Sequence, residues 1–169
     1  MASIINVDKL RRTGSTTDAL ALNTSDTLTA FRPLAFSAYA TGGQTISANT
    51  QTVIQYNNEH FDTDSCYDHT TNYRFTPNVA GIYYIAGSMR INGSDDQEIY
   101  DLELRKNGTV ARRHSANQYR YTSASVEGLF EANGSSDYFD IAVYLGSSFS
   151  LRTNAAENWF YGYFIRSLP

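Results

Sequence analysis

Apolar and polar residues alternate along most of the chain beyond residue 33, with the period of strands. In 81–91, Tyr83, Ile85, Gly87, Met89 and Ile91 fall on one face and Ile82, Tyr84, Ala86, Ser88 and Arg90 on the other. The first face reads as core. The second is half apolar near its start and polar towards Arg90, which predicts burial on both sides at the starting end only. Phe139, Ile141, Val143 and Leu145 oppose Tyr138, Asp140, Ala142 and Tyr144 in the same way, and Tyr100, Leu102 and Leu104 oppose Asp101, Glu103 and Arg105. Thr122, Ala124, Val126, Gly128 and Phe130 form a smaller-sided face, suited to a close approach of two sheets or two subunits.

These patterns predict strands over 34–39, 52–56, 73–76, 81–91, 98–105, 109–114, 122–131, 138–145, 149–151 and 159–165. Gly42-Gly43, Asn57-Asn58 and Pro77-Asn78 punctuate them, as do the pairs Asn92-Gly93, Asn107-Gly108 and Asn133-Gly134. Asn-Gly adopts positive φ at low cost, so these three pairs predict antiparallel hairpins. Residues 72–91 read as another hairpin, folded at Pro-Asn-Val-Ala-Gly. About ten short strands in one domain predict an all-β, antiparallel sandwich or jelly roll.

Residues 1–33 have a different texture. Ile4, Ile5, Val7, Leu10, Leu20, Leu22 and Leu28 come in short clusters among Ser, Thr, Asp and Gly, with Arg11 and Arg12 between them. No helical period persists. The segment reads as an extended attachment arm preceding a head at 34–169. Such an arm cannot bury its apolar side chains alone, so it must lie on its own domain, a sister subunit or another protein.

Composition narrows the partners. The 169 residues carry 13 basic and 17 acidic side chains, a net charge of -4, which gives no footprint for nucleic acid or an anionic membrane. Tyr 13 and Phe 9 supply the vocabulary of strands and aromatic interfaces. The single cysteine, Cys66, permits no internal disulfide. No window approaches the ~20 apolar residues of a membrane helix, and residues 1–15 lack a signal-peptide core, so classical secretion is disfavoured.

Candidate chemistry is sparse. His60, His69 and His114 are scattered, without the spacing of a zinc site. Asp62, Asp64 and Asp68 have oxygens that suit calcium, but their loop lacks the Gly and distal Glu of a dedicated hand; a solvated polar loop is the simpler reading. No nucleophile elbow is present, and Cys66 lies in Asp-Ser-Cys-Tyr with no helix start to activate it. The expectation is a protein without catalytic residues, metal or cofactor. Charge, however, is segregated: Arg105, Lys106, Arg112, Arg113 and Arg120 follow a run holding Asp95, Asp96, Glu98, Asp101 and Glu103. Cross-strand pairing is the simpler reading of this contrast, and a docking patch towards a subunit or another protein surface is the sharper one.

Residues 53–85 resemble the core signature of the globular head of complement component 1q and the tumour necrosis factor superfamily, with Phe75, Pro77, Gly81, Tyr83 and Tyr84 at its landmark positions. Leu104-Arg105-Lys106-Asn107-Gly108 looks like that family's Lys-Asn-Gly hairpin, 159–165 like its closing aromatic strand, and Phe36-Ser37-Ala38 like its opening. The resemblance implies a ten-stranded jelly roll that packs as a homotrimer. No Gly-X-Y stalk repeat accompanies it. The stretch IINVDKLRRTGSTTDALALN is similar instead to the openings of short structural proteins of tailed bacteriophages. Together these resemblances imply a non-enzymatic virion protein, assembled in the host cytoplasm and carried on the capsid surface or tail. The leading expectation is a trimeric capsid cement or decoration protein whose arm holds the major capsid protein or another virion protein. The alternative is a tail-fibre knob that binds a host surface glycan or receptor.

Overall fold

The computed structural model describes residues 9–10, 20–22, 28–30, 34–92, 98–118 and 123–167. The chain divides into two compact units, Met1–Pro33 and Leu34–Pro169. In the first, β1 (Lys9–Leu10), β2 (Leu20–Leu22) and β3 (Leu28–Ala30) form an antiparallel sheet in that order, with Leu10 opposite Leu20 and Leu22 opposite Leu28. Strands this short make a sheet that is marginal by itself. The arm therefore has internal pairing that its sequence did not suggest. Leu10, Leu20 and Leu22 lie on these strands; Ile4, Ile5, Val7, Arg11 and Arg12 lie outside the described residues.

The second unit contains β4 (Ala35–Tyr39), β5 (Thr45–Ile46), β6 (Thr52–Val53), β7 (Asn58–Asp62), β8 (Tyr67–Asp68), β9 (Arg74–Phe75), β10 (Ala80–Arg90), β11 (Glu98–Lys106), β12 (Thr109–Gln118), β13 (Ser123–Asn133), β14 (Phe139–Leu145), β15 (Phe149–Ser150) and β16 (Trp159–Arg166). One sheet has the order β13-β10-β16-β4-β7, and the facing sheet has β12-β11-β14-β9-β8 with β6 also paired to β14. All pairings are antiparallel. Successive strands β9, β10 and β11, and again β12, β13 and β14, cross from one sheet to the other, which is how a jelly roll closes its two layers.

That crossing corrects the hairpin expectations. The segment 72–91 is no hairpin, because β9 and β10 belong to opposite sheets. Phe75 and Tyr83 instead meet edge to face across the sandwich, centroids 5.7 Å apart. Among the described residues, of the three pairs only Asn107-Gly108 makes a tight hairpin, with φ of 53° and 75°, as a type I′ turn requires. Asn133-Gly134 opens a crossover loop, since β13 and β14 lie in different sheets, and Gly93 lies outside the described residues.

The core is aromatic. Phe36 stacks on Phe75 at 4.4 Å and meets Phe160 edge-on at 4.9 Å. Two buried hydroxyls are paired, Tyr56 donating to the Ser88 carbonyl and Tyr67 to the Tyr56 carbonyl, each at 3.0 Å, whereas the buried Tyr100 hydroxyl has no partner among the described residues. Gly87 allows the sheets to close, for a Cβ there would stand 2.6 Å from Ile141. Strand β10 is buried on both faces, but over 85–89 rather than at its starting end. The small Ala86 and Ser88 lie in register with the rings of Tyr161 and Trp159, and the Ser88 hydroxyl donates to the Glu157 carbonyl at 3.2 Å, so polarity alone misjudged that end.

Candidate assembly surface

Each sheet has an outward face, and the two differ in chemistry. On the β12-β11-β14 side, register sets charged residues opposite one another. Glu103 faces Arg113 across β11 and β12, and Arg105 faces Asp140 across β11 and β14. Both pairs close at 2.6 Å, and Arg113 also lies 3.6 Å from Asp101. Gln51 bridges the two pairs, donating to Glu103 and accepting from Arg105. Lys106 pairs with Asp137 at 2.9 Å. Among the described residues Arg112 has no carboxylate; its guanidinium donates to the Ala111 carbonyl and stands 5.6 Å from the Phe130 ring centroid. Arg120 lies outside the described residues. Of the five candidate docking cations, three are thus engaged within the head.

The outward face of the β13-β10-β16-β4-β7 sheet is aromatic and apolar. Register places Leu129, Tyr84, Tyr163 and Ala35 side by side on β13, β10, β16 and β4. The next row holds Glu127, Ala86, Tyr161, Ser37 and Phe61, and the row beyond it Ser88, Trp159 and Tyr39. Trp159 stacks on Tyr161 at 5.0 Å, and Tyr84 lies 5.4 Å from Tyr163. Leu129 is 59% exposed, Phe61 51% and Tyr163 45%. Large apolar side chains gathered on one open sheet face mark a surface made to be covered. The Tyr84 hydroxyl donates to the Glu127 carboxylate, a bond that raises the Tyr84 pKa well above its usual value.

The chain matches no protein-family model and no curated protein sequence. Solved structures do match the head. The globular domain of the zebrafish complement 1qA protein aligns with TM-score 0.59 and 16% identity over 80% of this chain and 99% of that one. Murine APRIL aligns with TM-score 0.61 and 9% identity over 79% of this chain and all 100% of that one, and Eiger TNF from S. frugiperda with TM-score 0.57 and 10% identity over 81% and 95%. The head has the complement 1q and tumour necrosis factor fold.

Elsewhere in this complement 1q-like head, the remaining sequence candidates separate. His60 stacks on Tyr39 at 4.4 Å, His69 bonds Glu59 at 2.7 Å, and His114 is exposed on β12. Among the described residues no group of three His, Cys, Asp or Glu side chains converges as a metal site. Asp62 accepts the Tyr67 N–H at 2.7 Å, and Asp68 accepts the N–H groups of Thr70, Thr71 and Asn72 within its own turn. Burial pushes the Cys66 thiol pKa up, the opposite of what a nucleophile needs. The aromatic face was the feature that sequence reasoning left unassigned. Its signal lay in 159–165, where rings occur at both parities, Trp159, Tyr161 and Tyr163 alternating with Phe160 and Phe164; this is the mark of a strand covered on both sides.

Proposed function

We propose that the protein is a non-enzymatic virion structural protein of a tailed bacteriophage. Its head, residues 34–169, forms a homotrimer, and its arm, residues 1–33, fastens that trimer to the particle as a capsid cement or decoration protein. The observation that carries the assembly is the open aromatic face containing Leu129, Tyr84, Tyr163 and Phe61. Its rings offer the composition of subunit interfaces, where buried Tyr, Trp and Phe dominate. The arm's likeness to phage structural proteins supports the attachment. Three arms on one trimer raise the effective concentration of each, so modest contacts at neighbouring capsid subunits add up to a clamp.

The experiment compares the full chain with a chain lacking residues 1–30. By light scattering both have the mass of a trimer, and only the full chain sediments with phage particles. An undiminished particle-bound fraction after the deletion would remove the arm from the attachment. Copy number per particle separates the two virion roles: many copies spread over the capsid for a decoration protein, a few trimers for a tail-fibre knob.

A further inference from the structure

A cavity of about 380 Å³ opens between the loops that follow β7, β8 and β9 and the loop that follows β13. Arg74 of β9 lines it as the sole basic residue there, its guanidinium 4.4 Å from the centroid of the Tyr138 ring. No hydrogen bond or ion pair from another described residue reaches that guanidinium. The ring supports the cation while leaving its N–H fork open. Ser65, Thr76 and Asn78 line the same cavity, and their side chains make no hydrogen bond to any other described residue.

The walls are fixed in advance. Both oxygens of Asp68 are occupied, one by the N–H groups of Thr70 and Thr71 and the Thr70 hydroxyl, the other by the N–H and side-chain amide of Asn72. Directly before Arg74, Tyr73 holds φ at 53°, an uncommon conformation for an aromatic residue and of the kind that collects at ligand sites. On the opposite wall the Asn133 side chain accepts the N–H groups of Ser135, Ser136 and Asp137. The volume falls in the range of small-ligand sites, and the polar groups that would orient a ligand are held in place beforehand.

We infer that this cavity binds an acidic sugar residue, with the sugar carboxylate on the Arg74 guanidinium and ring hydroxyls on Ser65, Thr76 and Asn78. A single cation matches one carboxylate, whereas a phosphate dianion calls for more positive charge and would feel the neighbouring Asp68 more strongly. Two hydroxyls and an amide both donate and accept, as sugar hydroxyls require. Asp68 has no free oxygen for a cation, which removes calcium as the occupant. The inference gives the receptor-binding reading of the head a ligand class and a place. It is independent of the attachment to particles, because ligand binding is read in solution without them.

Calorimetric titration of the full-length protein with sodium glucuronate, glucose, acetate and inorganic phosphate provides the test. Glucuronate gives saturable binding, and the other three bind at least tenfold more weakly. Arg74→Gln weakens glucuronate at least tenfold and Arg74→Lys by less, while Arg112→Gln on β12 changes nothing. Asn78→Ala and Ser65→Ala, whose side chains bond to no other described residue, weaken it severalfold and stand in for Arg74→Gln should that variant melt early. Absence of saturable binding, glucose binding as well as glucuronate, acetate or phosphate competing as equals, or full affinity in folded Arg74→Gln would each overturn the assignment.

Discussion

Glu103 on β11 lies 2.6 Å from the guanidinium of Arg113 on β12, with the glutamate side chain 2% exposed and the arginine 47% exposed. The carboxylate is thus covered while its partner still meets water. Among the described residues, removing Arg113 leaves a buried charge with only Gln51 to bond it, and that costs more than losing a surface pair. Arg113→Ala is expected to lower stability by about 1–3 kcal/mol in urea unfolding. Combined with Glu103→Ala, the loss is less than the sum of the single losses, and a double-mutant cycle reads the difference.

Gly134 joins the core to the crossover from β13. Its φ is 71°, and a Cβ there would stand 2.2 Å from the Ala80 backbone nitrogen, which cannot swing aside as a side chain can. Gly134→Ala therefore combines conformational strain with overpacking, together about 2–4 kcal/mol. Differential scanning calorimetry should show a fall in Tm on the order of 10 °C.

What the sequence could and could not reveal follows from which forces are local. Alternation placed Tyr83, Ile85, Met89, Phe139, Ile141 and Val143 inside, and all of them are buried, because the pleat alone decides which face a residue takes. Strand β7, whose sequence is Asn-Glu-His-Phe-Asp, was not foreseen. Its place comes from backbone pairing with β4, not from side-chain period, and its residues favour turns. Turn chemistry identified the Asn107-Gly108 hairpin but not the destination of the strand after Asn133, since a loop's residues do not encode which sheet comes next. Arg74 and Tyr138 lie far apart in the chain and meet only through tertiary structure, so their cavity had no sequence signal.

Acid should act first on the capped loops. Hydrogen bonds from the Thr71, Thr70 and Asn72 backbone hold the Asp68 carboxyl well below the usual carboxylate range, and the Asn107 and Lys106 side chains lower that of Asp137. A pKa lower in the folded than in the unfolded chain means stability that is complete above the unfolded value, about 3.9, and lost as pH falls towards the folded one. Asp68→Asn is therefore expected to be less stable than the wild type at pH 7, with the gap constant down to about pH 4 and shrinking below it. Urea unfolding at a series of pH values measures the gap. A gap unchanged down to pH 2 would mean that the charge of Asp68 does not hold the turn.

The register sets Leu129 and Tyr163 on either side of Tyr84, so the three side chains form one continuous apolar row across β13, β10 and β16. A row this exposed remains a liability until another surface covers it, and a charge placed within it would be desolvated on association at a cost no charge outside it incurs. Leu129→Glu and Tyr163→Glu leave the isolated head intact, because neither side chain contributes to the core, but they should shift the light-scattering mass from trimer towards monomer. The exposed Val79, in the loop between the sheets, is the control: Val79→Glu adds the same charge outside the row and is expected to leave the mass unchanged. Retention of the trimer in both Leu129→Glu and Tyr163→Glu, with unaltered circular dichroism, would move the interface to another face of the head.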